Sequence, residues 1–195
     1  MDALLHLRDM IASLDPPLVD DFCVRARWRR NDSLYALPSL SAPGLDALAA
    51  QYAESTTLAG RVLLLRPAYL LALRPALCEA GEDEDRTGLL AADTACLNAL
   101  ARRLSLSIHV ATRKREALPE VLQTAVRTGD PGRVERAITN AAVEAEVLAR
   151  VGQRAERQAP RADTPGQIVA LYAEWLIPLS RKIQVHGLLS TLRRR

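Results

Sequence analysis

Aromatic residues are scarce in this chain of 195 residues, at 4%. A core of ordinary size must therefore be filled by Leu, Ala, Val and Ile, and Leu and Ala at this density favour helix over strand. Cysteines number three, Cys23, Cys78 and Cys96. They are odd in number and widely spaced, so neither a disulfide framework nor a metal-ligand spacing emerges, which suits a reducing cytoplasm. A strong excess of charge of one sign is missing too. With 26 basic and 23 acidic residues, the net charge of +3 provides no electrostatic footprint for nucleic acid. The run Arg193, Arg194, Arg195 is short and terminal, and the cluster Arg25, Arg27, Arg29, Arg30 falls at mixed helical phases. Both read as solvated charge, although the second is dense enough to hold a phosphate. The longest apolar runs, such as Val62 to Leu65, are too short to span a bilayer. The first residues mix Asp2, His6, Arg8 and Asp9 among leucines, unlike a signal peptide. No window alternates with period two, and no dinucleotide fingerprint, phosphate loop, CxxC or HExxH is present.

What is present is helical periodicity. Leu4, Leu7, Ile11, Leu14, Leu18 and Phe22 recur at steps of three and four, which predicts a helix from residue 3 to about 30. Pro16 and Pro17 predict a kink or a restart within it, since a mid-helix proline costs about 3 kcal/mol. Residues 31–45, rich in Asn, Asp, Ser, Pro and Gly, read as a loop. Helices are expected over 45–59 and over 61–79, the second cut by Pro67 and Pro75. An acidic loop follows at 80–87, and then the longest uninterrupted candidate, 89–116. A short helix is expected over 119–128. The next is capped by Asp130 with Pro131 at its first position and runs through Ala155. A last helix is capped by Asp163 or Thr164 and extends to the C-terminus, with a possible kink at Pro178. The reading is an all-α chain forming one domain over residues 1–195, as a helical bundle.

Four segments add a resemblance. The first is Leu7-Arg8-Asp9 with Phe22-Cys23-Val24-Arg25-Ala26 and Tyr35. The second is Asp93-Thr-Ala-Cys96-Leu97 through Arg102-Arg103-Leu104 to Val110-Ala111-Thr-Arg-Lys114. The third is Ile138-Thr139-Asn140-Ala141-Ala142-Val143-Glu144. The fourth is Ile177-Pro178-Leu179-Ser180-Arg181-Lys182-Ile183-Gln184-Val185. In their order, and with their polar residues at matching offsets, they resemble the all-helical chorismate mutases of the longer, eukaryotic (yeast and plant) type.

The resemblance implies an isomerase that rearranges chorismate to prephenate in phenylalanine and tyrosine biosynthesis, from the shikimate pathway, as a cytoplasmic homodimer without a cofactor or metal. The step is pericyclic. It needs no nucleophile and no proton carrier, only a clamp on a folded dianion and donors aimed at the ether oxygen where negative charge develops. The matched positions are Arg8, Arg103, Lys114, Asn140, Glu144, Ser180 and Gln184. By resemblance, Arg8 and Arg103 grip the two carboxylates through guanidinium forks. Lys114 reaches a carboxylate and the ether oxygen, to which Gln184 also donates. Ser180 meets a carboxylate, and Glu144 with Asn140 holds the ring hydroxyl. Asn140 and Glu144 are four apart, as are Ser180 and Gln184, so each pair is expected on one helix face. Arg103 and Lys114, eleven apart, share a face as well.

Taken singly these residues have plainer readings: surface charges for Arg8, Arg103 and Lys114, a local cap for Asn140, a back-bonded hydroxyl for Ser180 and a solvated amide for Gln184. His6, His109 and His186 match no catalytic position.

Departures from the family pattern carry expectations of their own. Gln184 stands where the yeast-type enzymes have a glutamate that must be protonated to donate, so activity independent of pH near neutrality is expected. Ser107 replaces a glycine, which implies different local helix packing. The yeast enzyme's regulatory segment has a Gly-Ser pair and an Arg pair. Here Gly88 precedes Leu89, and Leu63 and Leu64 fall at the arginine positions, so feedback by Trp, Tyr or Phe is not expected. The alternatives are an isochorismate pyruvate lyase-like enzyme, a catalytically inactive binding protein on the same fold, and a helical interaction module built on the Arg-rich segment at 25–30.

Overall fold

The structure, a computed structural model, describes residues 3–116 and 120–190, with the side chains of 9–114 and 120–190. Among the described residues every regular element is helical, in agreement with the all-α expectation.

Helix α1 (Ala3–Arg25) contains Pro16 and Pro17 and runs through both without a break. The expected kink or restart at these prolines is not a break in the helix. The two prolines forfeit the hydrogen bonds to Ala12 and Ser13, a cost of about 3 kcal/mol each. Immediately after them Leu18, Val19 and Phe22 are buried to within 1%. Burial of such side chains is worth about 1.5–3 kcal/mol apiece, and the packing of α1 along α5 (Arg86–Glu116) holds the helix together.

After short 3₁₀ turns at Asp32–Leu34 and Leu37–Ser39 come α2 (Leu45–Glu54) and α3 (Leu58–Ala68), the latter capped by the Thr57 hydroxyl on the Gly60 N–H. Pro67 and Pro75 do not cut the chain here as expected. Helix α3 passes through a π-helical turn, Tyr69–Leu73, into α4 (Arg74–Leu77). The same device recurs later: α9 (Thr164–Leu171) continues through a π turn, Tyr172–Leu176, into α10 (Ile177–Leu189). In both places the residue four before a proline, Leu71 for Pro75 and Glu174 for Pro178, lies in the widened turn. A proline cannot donate to that carbonyl and its ring clashes with it, so a wider turn accommodates the ring without ending the helix.

Helix α6 (Glu120–Arg127) and α7 (Pro131–Ile138) follow α5, and Asp130 caps α7 on the N–H groups of Gly132 and Arg133. The expectation of one helix from Asp130 through Ala155 is corrected. Thr139 and Asn140 are extended, and a new helix, α8 (Ala141–Gln158), starts with Asn140 as its N-cap.

Helix α5 is the axis of the bundle. It packs along α1, α3 and α10; α10 also meets α2 and α7, and α8 lies against α1 and α9. One large core runs through these elements, and a smaller one gathers Ala111, Leu122, Ala125, Val134, Val185 and Leu188. Helices α5 and α10 approach closely, for a Cβ added at Gly187 would lie 3.1 Å from the Ala111 Cβ.

The Arg-rich segment is only in part the solvated face expected of it, for Arg27 and Arg29 are exposed while Arg25 is not. Arg25 is fully buried, donating from Nε to Asp93 Oδ1 at 2.5 Å and from Nη1 to the Arg29 carbonyl and Cys78 Sγ. Asp93 also accepts from the Tyr35 and Tyr69 hydroxyls. The Arg29 amide meets Asp83, and Arg30 pairs with Asp32. The segment ties the first loop to the acidic loop. It is not a vacant phosphate cradle.

All three cysteines are free and buried. Burial foremost pushes the Cys23 and Cys78 thiols up to about 11 and Cys96 well above its ordinary value, so none is a nucleophile at neutral pH. No described helix is long and apolar enough to cross a membrane.

Candidate active site

Between α1, α5, α8 and α10 lies a cavity of about 370 Å³. Six of the seven residues expected from sequence line it: Arg103, Lys114, Asn140, Glu144, Ser180 and Gln184. The seventh, Arg8, belongs to α1, but its side chain lies outside the described residues. The next residue, Asp9, lines the cavity together with Ile11 and Ala12.

Helix geometry explains the convergence. Three turns of α5 separate Arg103 from Lys114, and one turn of α10 separates Ser180 from Gln184. The break before α8 puts Asn140 and Glu144 at a helix start. Asn140 Oδ1 accepts from the Val143 N–H at 3.2 Å, so the side chain serves as a local cap as well as lining the cavity. Its amide N–H groups are not used by that cap.

Each polar group is held by a neighbour. Arg103, 4% exposed, donates from Nε to Asp15 Oδ1 at 2.7 Å, while its Nη1 is buried without a hydrogen-bond partner among the described residues. Tyr172 donates to the same Asp15 oxygen at 3.4 Å. Burial, with the Asp15 carboxylate adding to it, raises the Tyr172 hydroxyl well above its ordinary range, so it remains a donor. A guanidinium fixed on one edge and unsatisfied on the other is prepared to receive a carboxylate.

Lys114 Nζ donates to Gln184 Oε1 at 3.0 Å. That bond fixes the amide. The carbonyl side of Gln184 faces the lysine, and the Nε2 side is left to donate, with Ser180 Oγ 3.5 Å away. Ser180 Oγ lies 2.7 Å from Ser107 Oγ. Glu144 is gripped by Arg181, whose Nη1 reaches both carboxylate oxygens at 3.1 and 3.3 Å and whose Nε lies 3.6 Å from Glu135 on α7.

Sequence reasoning missed Asp15, Ser107, Arg150, Tyr172 and Arg181, of which Arg150 and Arg181 also line the cavity. Asp15 follows Arg8 by seven residues, two helical turns on the same face, and that spacing was its available signal. Arg181 adjoins the matched Ser180. Tyr172 sits behind Asp15 and carries no such signal. Arg103 is paired with Asp15 and Arg181 with Glu144 and Glu135 within the protein, and the carboxylates of Asp9, Glu144 and Glu146 also line the cavity. With these charges in a partly enclosed pocket, the arrangement suits a small polyanion bearing hydroxyls. Among the described residues no group of carboxylates, histidines and cysteines is placed to hold a metal ion.

A helical bundle with a cationic, amide-bearing cavity between four helices defines a class, and comparison with known proteins identifies it. The family model for chorismate mutase type II matches residues 86–185, and the chain belongs to that family. A chorismate mutase of Emericella nidulans is 29% identical over 147 residues, covering 66% of this chain and 55% of its own. One of Saccharomyces cerevisiae is 27% identical over 166 residues, covering 80% and 62%. The chain thus spans about half the length of the curated relatives it matches.

Among solved structures, the chloroplast chorismate mutase from Zea mays superposes with a TM-score of 0.79 at 19% identity, covering 98% of this chain and 96% of its own. The Candida albicans chorismate mutase, in complex with L-Trp, gives 0.74 at 20%, covering 97% and 91%. At these identities the two structures establish a shared fold.

Proposed function

We propose that this chain is a chorismate mutase, an isomerase that carries chorismate through a pericyclic rearrangement to prephenate. The observation that supports this best is the fixed Lys114–Gln184 pair beside Arg103 in one cavity: cation, amide donor and half-free guanidinium converge where a dianion has to be folded. Arg103 Nη1 takes one carboxylate of chorismate and Arg8 the other. The Lys114 ammonium and the Gln184 Nε2–H point at the ether oxygen, stabilising the negative charge that builds as the C–O bond breaks. Ser180 donates to a carboxylate. Glu144, held by Arg181, accepts from the ring hydroxyl, and the Asn140 amide supports its neighbourhood. Electrons move within the substrate alone, so the protein's contribution is geometry and electrostatics. Arg8, Arg103, Lys114, Glu144 and Gln184 act on the reacting part, while Asn140 and Ser180 complete substrate binding.

The chain works without a cofactor, in a reducing cytoplasm that keeps its three thiols free, as a homodimer on the pathway to phenylalanine and tyrosine. Purified protein mixed with chorismate yields prephenate; mixed with isochorismate it releases no pyruvate. Pyruvate release would favour the lyase reading, and inertness toward both substrates, the binding-protein reading.

A further inference from the structure

Behind the cavity wall Ser107 of α5 is fully buried and does not line the cavity, whereas Ser180 of α10 does. Their hydroxyls are 2.7 Å apart. We infer that Ser107 is a positioning residue for the substrate site, acting through the Ser180 hydroxyl. The inference rests on the chorismate mutase reading and assigns a role to a residue outside the seven expected from sequence.

The argument is one of hydrogen-bond valence. A serine hydroxyl has one hydrogen to donate and two lone pairs that accept. Ser107 has no other hydrogen-bond partner among the described residues. Its single hydrogen is therefore satisfied only if it is donated to Ser180 Oγ. In the reverse arrangement, with Ser180 donating, the Ser107 hydrogen would be buried without an acceptor, at the cost of an unmade bond. Ser180 Oγ also faces Gln184 Nε2, which has only hydrogens to give, at 3.5 Å. Both lone pairs of Ser180 are thus engaged, by Ser107 and by Gln184, and its one hydrogen is left to point into the cavity. Ser180 is held as a donor, which is what an anionic substrate requires. The four side chains Ser107, Ser180, Gln184 and Lys114 form one hydrogen-bonded chain from the α5–α10 contact to the cavity.

A double-mutant cycle on the full chain tests this, with Ser107→Ala, Ser180→Ala and the pair. The readouts are steady-state prephenate formation and calorimetric binding of a bicyclic transition-state mimic. Ser107→Ala raises KM for chorismate and the mimic's Kd by about three- to tenfold, the worth of one buried hydrogen bond, and leaves kcat within about twofold, because a carboxylate contact is made alike in ground and transition states. In the Ser180→Ala background the same change has no further effect. Ser107→Cys, which keeps a weak donor, falls between wild type and Ser107→Ala. Equal effects of Ser107→Ala in both backgrounds, or none in the wild type, overturn the inference while leaving the mutase reading intact. A wild-type chain that neither turns over chorismate nor binds the mimic overturns both.

Discussion

At the residue scale, Gln184 carries the most specific chemistry. Its carbonyl is committed to Lys114, so the amide N–H faces the cavity whatever the pH. A glutamate in its place donates only when protonated. The free side chain titrates near 4.3, so Gln184→Glu makes kcat fall as pH rises through that group's own titration, while the wild type stays nearly flat from weakly acidic to weakly basic pH. Paired pH–rate profiles check this, and a steep loss in the wild type above neutrality would remove Gln184 from its role.

Asp15 bears on the same site from behind. Removing it leaves Arg103 buried, with no anion on its Nε, and breaking such a pair costs about 3–5 kcal/mol. Asp15→Ala therefore shifts the denaturant midpoint markedly, whereas a loss below about 1 kcal/mol would mean that the guanidinium is solvated and not prepared for substrate. The six described site residues were legible in the sequence through four segments that resemble one family's motifs, and helical spacing added only that they share faces. Tyr172 and Ser107 were not, and Asp15 only through its spacing from Arg8, since Asp15 meets Arg103, Tyr172 meets Asp15 and Ser107 meets Ser180 across helices, and such a contact leaves no period in the chain.

Among the elements, prolines and caps account for what the sequence obscured. Pro16, Pro17, Pro67, Pro75 and Pro178 all suggested interruptions. In α1 dense burial on α5 outweighs the lost hydrogen bonds, and before Pro75 and Pro178 a π turn makes room for the ring. Such tertiary compensation cannot be read from propensity. The opposite error occurred at Thr139 and Asn140, where an unbroken apolar period concealed a real boundary. The boundary is what puts Asn140 and Glu144 at the start of α8 beside the cavity. Asn140→Ala deletes the cap on the Val143 N–H and costs about 1 kcal/mol of stability. It also weakens substrate binding, and because both effects share one side chain, Asn140→Ser, which caps equally well, restores the melting temperature but not KM. Full recovery of KM in Asn140→Ser would reduce Asn140 to a cap.

For the whole molecule, helix content and the order of elements followed from composition and periodicity, because a leucine- and alanine-rich chain with no period-two window has few other ways to bury a core. Regulation also belongs to this scale. Leu63 is 67% exposed and Leu64 half-buried against the core, and neither leucine offers a charge to an amino-acid carboxylate. The account predicts that L-Trp, L-Tyr and L-Phe leave chorismate turnover unchanged, which an assay with each added at saturating level reads directly. Activation or inhibition by any of them would locate a regulatory site elsewhere on the bundle. The central claim is that one cationic cavity between four helices does the chemistry. Its most direct measurement is the loss of chorismate absorbance with wild type, Arg103→Ala and Lys114→Ala side by side. The account predicts turnover by the wild type and a fall of at least about a hundredfold in each variant, on the scale of deleting one preorganised donor; equal rates in all three would contradict it.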